Sequence, residues 1–264
     1  MKKRRVALVL AGGGARGVAH IGAIEELERQ GFEIAAVAGT SMGALVGGVY
    51  ASGRLTEFKE WMCTLDKYKV FGLVDFTLSS EGLVKGDRVM KAMQELIPDV
   101  QIEQMPVPFA AVAADLLTGR EVVLDRGGLY EAIRASISIP SVFRPVHRDG
   151  MVLVDGGTVN PLPLNRVRRE EGDLLVAVDV SAPFGADPTT RANASLNYYK
   201  VLIASSQIMQ QHITQLMCRL YRPDVLVQMP ADSYGMFEFY RSAELIEAGR
   251  AATRVALARQ LEQA

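Results

Sequence analysis

The sequence predicts an α/β fold in which a mostly parallel sheet is covered by helices on both faces. Three observations carry that expectation. Short runs that are apolar throughout, such as Val6-Ala7-Leu8-Val9-Leu10-Ala11, alternate with stretches of helical periodicity. Strands buried on both faces read as continuous apolar runs, and parallel strands need a crossover between them. The first two apolar runs each end in a glycine-rich turn that opens a helix, the grammar of an α/β unit. No Gly/Ser-rich linker, repeat or low-complexity tract divides the 264 residues. One domain over 1–264 is expected, with a motif-bearing core at about 6–180 and helices at about 190–264.

The elements follow in order. Val6–Ala11 is the first strand. Arg16–Gln30 is a helix, with Ile21, Ile24 and Leu27 near helical spacing and Gly31 as its stop. Ile34–Ala38 is the second strand and Met42–Ala51 the second helix. Thr56 caps a third helix, Thr56–Lys67. Phe71–Gly86 reads as a loop, and Asp87–Ile97 as a helix ended by Pro98. Phe109–Ala114 and Glu121–Leu124 are strands flanking a turn at Leu117-Thr118-Gly119. Leu129–Ser136 is helical, and Met151–Val154, Leu174–Val180 and Asp224–Gln228 are further strands. Two long helices remain, Asn193–Leu220 and Phe239–Glu262. In the first, Leu202, Met209, Ile213, Leu216 and Leu220 recur at steps of seven, four, three and four. Met209 and Met217 are read as ordinary core; a lipid-contacting cover is the alternative.

Composition narrows the function classes. Hydrophobic residues at 49% and charged residues at 22% exclude a disordered chain, a coiled coil and a collagen-like rod. Lys+Arg at 29 against Asp+Glu at 30 gives no general pull toward nucleic acid, and no nucleic-acid partner is expected. Cys63 and Cys218 have no metal-binding or disulfide spacing, so two free thiols in or near the core and a reducing, cytoplasmic setting are expected. The basic start before Val6 resembles a signal peptide, but the apolar run stops after Ala11 at three glycines and an arginine, and a strand is the better reading. No stretch approaches the length of a membrane span.

The chemistry concentrates in three segments. Gly39-Thr40-Ser41-Met42-Gly43 fits G-x-S-x-G between a strand and a helix, the context of a nucleophile elbow. Such a turn is tight, and glycine at 39 and 43 relieves the collisions. Ser41 then stands at a helix start, where backbone N–H groups favour developing negative charge.

Gly12-Gly13-Gly14-Ala15-Arg16-Gly17 formally satisfies the dinucleotide fingerprint G-x-G-x-x-G through Gly12, Gly14 and Gly17. That fingerprint expects an acid near the end of the second strand. Here that position runs into Gly39-Thr40-Ser41, and the nearest acid, Glu33, precedes the strand. No cofactor and no metal are therefore expected. Lying beside the elbow, the turn suits an oxyanion hole: amides of Gly13, Gly14 and Met42 would bind the oxyanion, and Arg16 would order the loop or add positive potential.

The third segment, Met151-Val152-Leu153-Val154-Asp155-Gly156-Gly157, places an acid after an apolar strand. Asp-Gly by itself signals a turn. A serine nucleophile, however, needs a proton acceptor. His20, His147 and His212 do not fall where a Ser–Asp–His order wants a histidine. An aspartate acting directly on the serine is the economical alternative.

Together these segments resemble the patatin-like phospholipases, and more narrowly the bacterial members related to neuropathy target esterase. The glycine-rich loop ending in Arg16-Gly17, the elbow at Ser41 and the Asp155-Gly156-Gly157 motif appear in the family's order. Gly82–Gly86, Ala114–Gly119, Arg134–Pro140 and Asn160–Pro163 are also similar to family segments; the likeness holds from about Val6 to Val180 and weakens beyond. The resemblance implies a three-layer α/β/α sandwich that hydrolyses lipid acyl esters through a Ser41–Asp155 dyad. It implies an oxyanion loop of Gly12, Gly13, Gly14 and Arg16, supported at Gly17, Gly39, Gly43, Gly156 and Gly157. The expected partner is a lipid or acyl ester, with transient contact at a membrane surface. Ile137, Ile139, Val142 and Phe143 are candidates for an apolar acyl pocket. An acyltransferase and a non-catalytic regulatory protein are the rival readings; Thr40, where many malonyl-type transferases carry histidine, counts against the first.

Overall fold

The computed structural model describes residues 4–73, 76–79, 82–84, 87–96, 99–183 and 198–263. In chain order the elements are β1 (Arg4–Leu10), α1 (Ala19–Arg29), β2 (Phe32–Thr40), α2 (Met42–Ala51), α3 (Leu55–Cys63), α4 (Lys67–Leu73) and β3 (Phe76–Ser79). There follow β4 (Gly82–Val84), α5 (Asp87–Leu96), β5 (Phe109–Asp115), β6 (Glu121–Leu124), α6 (Leu129–Ser136), β7 (Val146–Arg148) and β8 (Met151–Asp155). The last are β9 (Leu174–Ala182), α7 (Tyr198–Tyr221), β10 (Val225–Pro230) and α8 (Ser242–Gln263).

β10, β9, β1, β2 and β5 run parallel in that spatial order. β6 and β8 pair with β5 antiparallel, and β7 extends β8. The register on β5 positions the site. β6 occupies one edge over Ala111–Ala114. The other edge is shared: β2 covers Phe109–Val112, and β8 covers Ala113–Asp115 from the opposite direction. β2 and β8 thus meet end to end, with Thr40 opposite Val112 and Asp155 opposite Ala113.

Strand periodicity sorts the core into two layers. Val6, Leu8 and Leu10 face a large cluster that includes Ile24 of α1, Val46 of α2, Ile133 of α6 and Leu245 of α8. The alternate residues Ala7 and Val9 face a smaller cluster with Leu162, Leu164 and Ala177, closed by Met217 and Cys218 of α7. Helices therefore cover both faces, as the sequence predicts. α1 and α8 approach backbone to backbone, because Gly22 lies against the Ile246 carbonyl and Gly249 against that of Ala19.

Several expectations need correction. The first helix opens with a 3₁₀ turn, Gly14–Val18. The expected loop over 71–86 instead holds the end of α4 and the hairpin β3–β4; residues 74, 75, 80, 81, 85 and 86 lie outside the described residues. β7, three residues long, carries too little pattern to be seen in the sequence. Residues 193–197 of the predicted long helix also lie outside the described residues. Both cysteines are free; Cys218 is half-buried against the smaller cluster, near the core as expected, whereas Cys63 is exposed at the end of α3. Among the described residues no helix is long and apolar enough to cross a membrane.

Candidate active site

Ser41 follows the last residue of β2 and precedes the first of α2, with φ 56° and ψ −124°. A non-glycine residue there carries strain of about 1–3 kcal/mol, which persists only when its surroundings hold it. They do so here. The turn is so tight that a Cβ at Gly39 would collide with the Gly43 carbonyl, and one at Gly43 with that of Leu10. The Thr40 hydroxyl donates to the Asn160 carbonyl at 2.8 Å. The Ser41 amide donates to the Ser136 hydroxyl at 2.8 Å.

Asp155 ends β8, one register step from Thr40 along the shared edge of β5, so residues 115 positions apart meet at a strand junction. Ser41 is only 5% exposed and Asp155 only 6%. The Gly157 amide donates to Asp155 Oδ1 at 2.7 Å. Burial raises the Asp155 pKa to about 6, while hydrogen bonds from the Ser41 hydroxyl and the Gly157 amide oppose that shift. Desolvation makes the carboxylate a stronger base than a free aspartate. Gly156 packs against the Val112 carbonyl with no room for a side chain.

The glycine loop abuts this pair: a Cβ on Gly12 would lie 3.3 Å from Ser41 Cβ. Its amides divide by partner. Gly12 N–H donates to the Pro161 carbonyl at 3.0 Å and Ala15 N–H to that of Met236 at 2.8 Å. Among the described residues no backbone carbonyl outside the regular elements accepts from Gly13 or Gly14. Gly14 has φ +58°, and Met236 crowds the space a Cβ would need. Met42 is the first residue of α2, where a helix leaves its amides unpaired. Gly12, expected in the oxyanion loop, has thus committed its amide to Pro161 and contributes backbone shape only. Gly17 gives Met42 room to pack.

Arg16 is buried and works as a brace. Its Nε donates to the Val180 carbonyl at 3.0 Å, Nη1 to that of Tyr234 at 3.2 Å and Nη2 to the Ser181 hydroxyl at 3.2 Å. Burial lowers its pKa, and the charges of Asp179 and Asp232 oppose that. Asp179 is itself buried, its pKa raised by burial to about 6, and it accepts the Ser181 amide at 2.9 Å. Sequence reasoning missed Ser136, Asp179 and Ser181.

The histidines stand apart. His20 is fully buried in α1, and its Nε2 meets the Ala11 carbonyl at 2.8 Å. Burial lowers its pKa to about 4. His147 and His212 are exposed.

A cavity of about 280 Å³ opens over Ser41 and Asp155. The glycine loop with Met236 against it, Ile139 and Pro140, and Leu202 and Met209 of α7 line it. Of the four predicted acyl-pocket residues only Ile139 reaches it. Ile137 and Val142 are buried, Ile137 in the main core, and Phe143 stacks with Arg134. Met209, expected in the core, is 60% exposed at the cavity mouth, whereas Met217 packs inward on the smaller cluster.

The fold and this strained turn define a class: α/β proteins that present a serine at a strand-to-helix elbow. A family model described as patatin-like phospholipase matches residues 8–167, and the chain belongs to that family. An uncharacterized NTE family protein of Mycobacterium tuberculosis is 46% identical over 177 residues, covering 67% of this chain and 49% of that protein. A second from the same organism is 32% identical over 281 residues, covering 97% of this chain and 47% of its own. Mouse patatin-like phospholipase domain-containing protein 6 is 31% identical over 192 residues, 70% of this chain and 14% of that one. The chain spans about half the length of the mycobacterial relatives. Among solved structures, VipD from Legionella pneumophila matches with a TM-score of 0.54 at 14% identity, over 98% of this chain and 67% of VipD, a likeness of fold.

Proposed function

We propose that this protein is a serine acyl hydrolase that cleaves carboxylic esters of lipids through an acyl-enzyme, with Ser41 as nucleophile and Asp155 as its proton acceptor. The observation that carries the reading is the strand junction that brings Ser41, in its strained turn, to the buried Asp155 carboxylate at one cavity; burial raises the pKa of that carboxyl to about 6. At pH 7 it is mostly ionised and yet basic enough to assist a serine.

Ser41 Oγ attacks the ester carbonyl as its proton passes to Asp155. The new C–O bond gives a tetrahedral oxyanion, which the amides of Gly13, Gly14 and Met42 stabilise. Collapse breaks the bond to the alcohol, which leaves with the proton held by Asp155. Water then attacks the acyl-enzyme, gives its proton to Asp155 and releases the acid, regenerating Ser41. Each oxyanion donor is worth about 10²–10³ in turnover. Arg16 serves this site by holding the glycine loop to the end of β9 rather than by touching the oxyanion.

The substrate class follows from the cavity wall, in which Ile139, Leu202, Met209 and Met236 suit an acyl chain. α7 supports contact with a lipid surface. Tyr198, Leu202, Met209, Leu216 and Leu220 are exposed and recur at steps of four, seven, seven and four, one stripe along its outward face. The helix contains no carboxylate; its charged residues are Lys200 and Arg219. Its first half also roofs the cavity, so the same element faces both the ester site and the surroundings.

The test is labelling by a fluorophosphonate together with product analysis on short esters, lysophospholipids and diacyl phospholipids, with and without an acceptor alcohol. Labelling at Ser41 and release of free acid are expected. Label on another residue ends the proposal, and acyl transfer to the alcohol in preference to water makes the protein a transferase.

A further inference from the structure

The end-to-end meeting of β2 and β8 leaves a gap in the sheet at the point where the two proposed reacting residues stand. Along the shared edge of β5 the parallel ladder stops at Thr40 and the antiparallel one starts at Asp155. Neither pattern supplies a partner across the change of direction. A single side chain fills it. The Ser136 hydroxyl, fully buried at the end of α6, accepts the Ser41 amide at 2.8 Å and donates to the Val112 carbonyl at 2.6 Å. Two residues further on, the Ser138 carbonyl accepts the Asp155 amide at 2.9 Å. One short segment therefore holds the backbone of both residues, then continues through Ile139, Pro140 and Ser141 as the cavity wall.

Resting on the reading of Ser41 and Asp155 given above, we propose that Ser136 is a positioning residue for the dyad, its hydroxyl closing the sheet at the β2–β8 junction and fixing the strained Ser41 turn against Asp155. The chemistry requires a group that accepts and donates at once, with no charge. A hydroxyl does both and rotates to suit. Because the Ser41 amide points to Ser136, it is withdrawn from the cavity, which leaves the oxyanion to Gly13, Gly14 and Met42.

The decisive comparison is Ser136→Thr against Ser136→Val, side chains of equal shape that differ by the hydroxyl, with Ser136→Ala as the smallest change. Three readouts are taken on each: melting temperature, kcat and KM on a water-soluble short ester, and the rate at which a fluorophosphonate labels Ser41. The Val and Ala variants should lose about 10- to 100-fold in kcat and in labelling rate, with KM within about twofold of the parent, while Thr restores most of the loss. Equal rates in the Thr and Val variants overturn the proposal, as does a folded Ser136→Ala variant whose kcat stays within about twofold of the parent. Ser136→Ala decides alone if the branched variants do not fold. An unlabelled parent protein is a different result, because it refutes the reading of Ser41 and not the role of Ser136.

Discussion

Arg16 holds Val180: its Nε donates at 3.0 Å to the carbonyl of a residue 164 positions along the chain. The same guanidinium reaches the Ser181 hydroxyl, which in turn donates to the Gly12 carbonyl at 3.1 Å. The glycine loop after β1 is therefore tied by a planar fork to two acceptors at the end of β9 and to a third, the Tyr234 carbonyl, beyond β10. Lysine, a single flexible ammonium, does not reproduce that fork. Arg16→Lys is expected to lose at least tenfold in kcat with little change in KM. Arg16→Ala should in addition lower stability by roughly 1–3 kcal/mol, because it strands buried acceptors. Steady-state kinetics beside denaturant melts check both. An Arg16→Lys enzyme as fast as the parent sinks the idea that the brace sets the loop.

The raised pKa of Asp155 predicts opposite effects on activity and on stability. In the proposed mechanism its ionised form is the base, so turnover should rise with pH through about 6 and level off above it. For stability the sign is reversed. The folded carboxyl binds its proton more tightly than an unfolded aspartate near pH 4, so stability is lost as pH rises from about 4 through 6. Asp155→Asn, which keeps an oxygen for the Gly157 amide, should be inactive yet melt higher than the parent at pH 8, with the gap closing toward pH 4. Melting curves across that range decide. An asparagine variant less stable at pH 8 than the parent contradicts the desolvation account.

His20 is the histidine nearest the glycine loop in sequence, and the structure gives it a different task. Its buried ring donates to the Ala11 carbonyl, its other nitrogen has no partner among the described residues, and burial depresses its pKa to about 4. The unfolded chain takes up a proton near pH 6.5 that the folded one refuses, so this group erodes stability as pH falls from about 6.5 toward 4. His20→Ala should cost about 1–3 kcal/mol in stability and leave the acid limb of the activity profile in place. A profile that loses that limb when the imidazole is removed reassigns the base to His20.

What the sequence discloses depends on the range of the interaction. β1, β2 and β5 are legible because a strand buried on both faces is apolar at every position. Ser41 and the glycines around it are legible because a strained turn writes its needs into neighbouring residues. Asp155 is marked by its strand and its two glycines, though not by its direction, and the antiparallel course of β8 is what brings it to Ser41. Ser136 lies in the segment Arg134–Pro140 that resembles the family, but nothing local reveals its role, which arises where β2 and β8 meet, at residues 95 and 19 positions away. Asp179 and Ser181 are hidden likewise, since the network they form with Arg16 spans β1 to β9; Arg16 itself is marked by the glycine loop that carries it. Periodicity reveals an apolar stripe on α7 and does not say which way it faces. The expected core methionine at 209 faces outward for that reason.

The stripe on α7 carries the last prediction. Leu216 and Leu220 are 62% and 70% exposed, and neither lines the cavity. Removing them should spare the chemistry and affect only what the outer face touches. Moving one leucine side chain from water into acyl chains is worth on the order of tenfold in partitioning. A Leu216→Ser, Leu220→Ser double variant should therefore sediment with phosphatidylglycerol-containing vesicles at least tenfold less than the parent. It should also lose turnover of vesicle-borne ester in proportion, and keep its rate on a water-soluble ester within about twofold. Phosphatidylcholine vesicles should bind more weakly than anionic ones, since Lys200 and Arg219 are the only charges on the helix. Unchanged sedimentation refutes the lipid contact. So does a parent protein that is a dimer and becomes a monomer on substitution, because the stripe is then covered by a second copy of the chain.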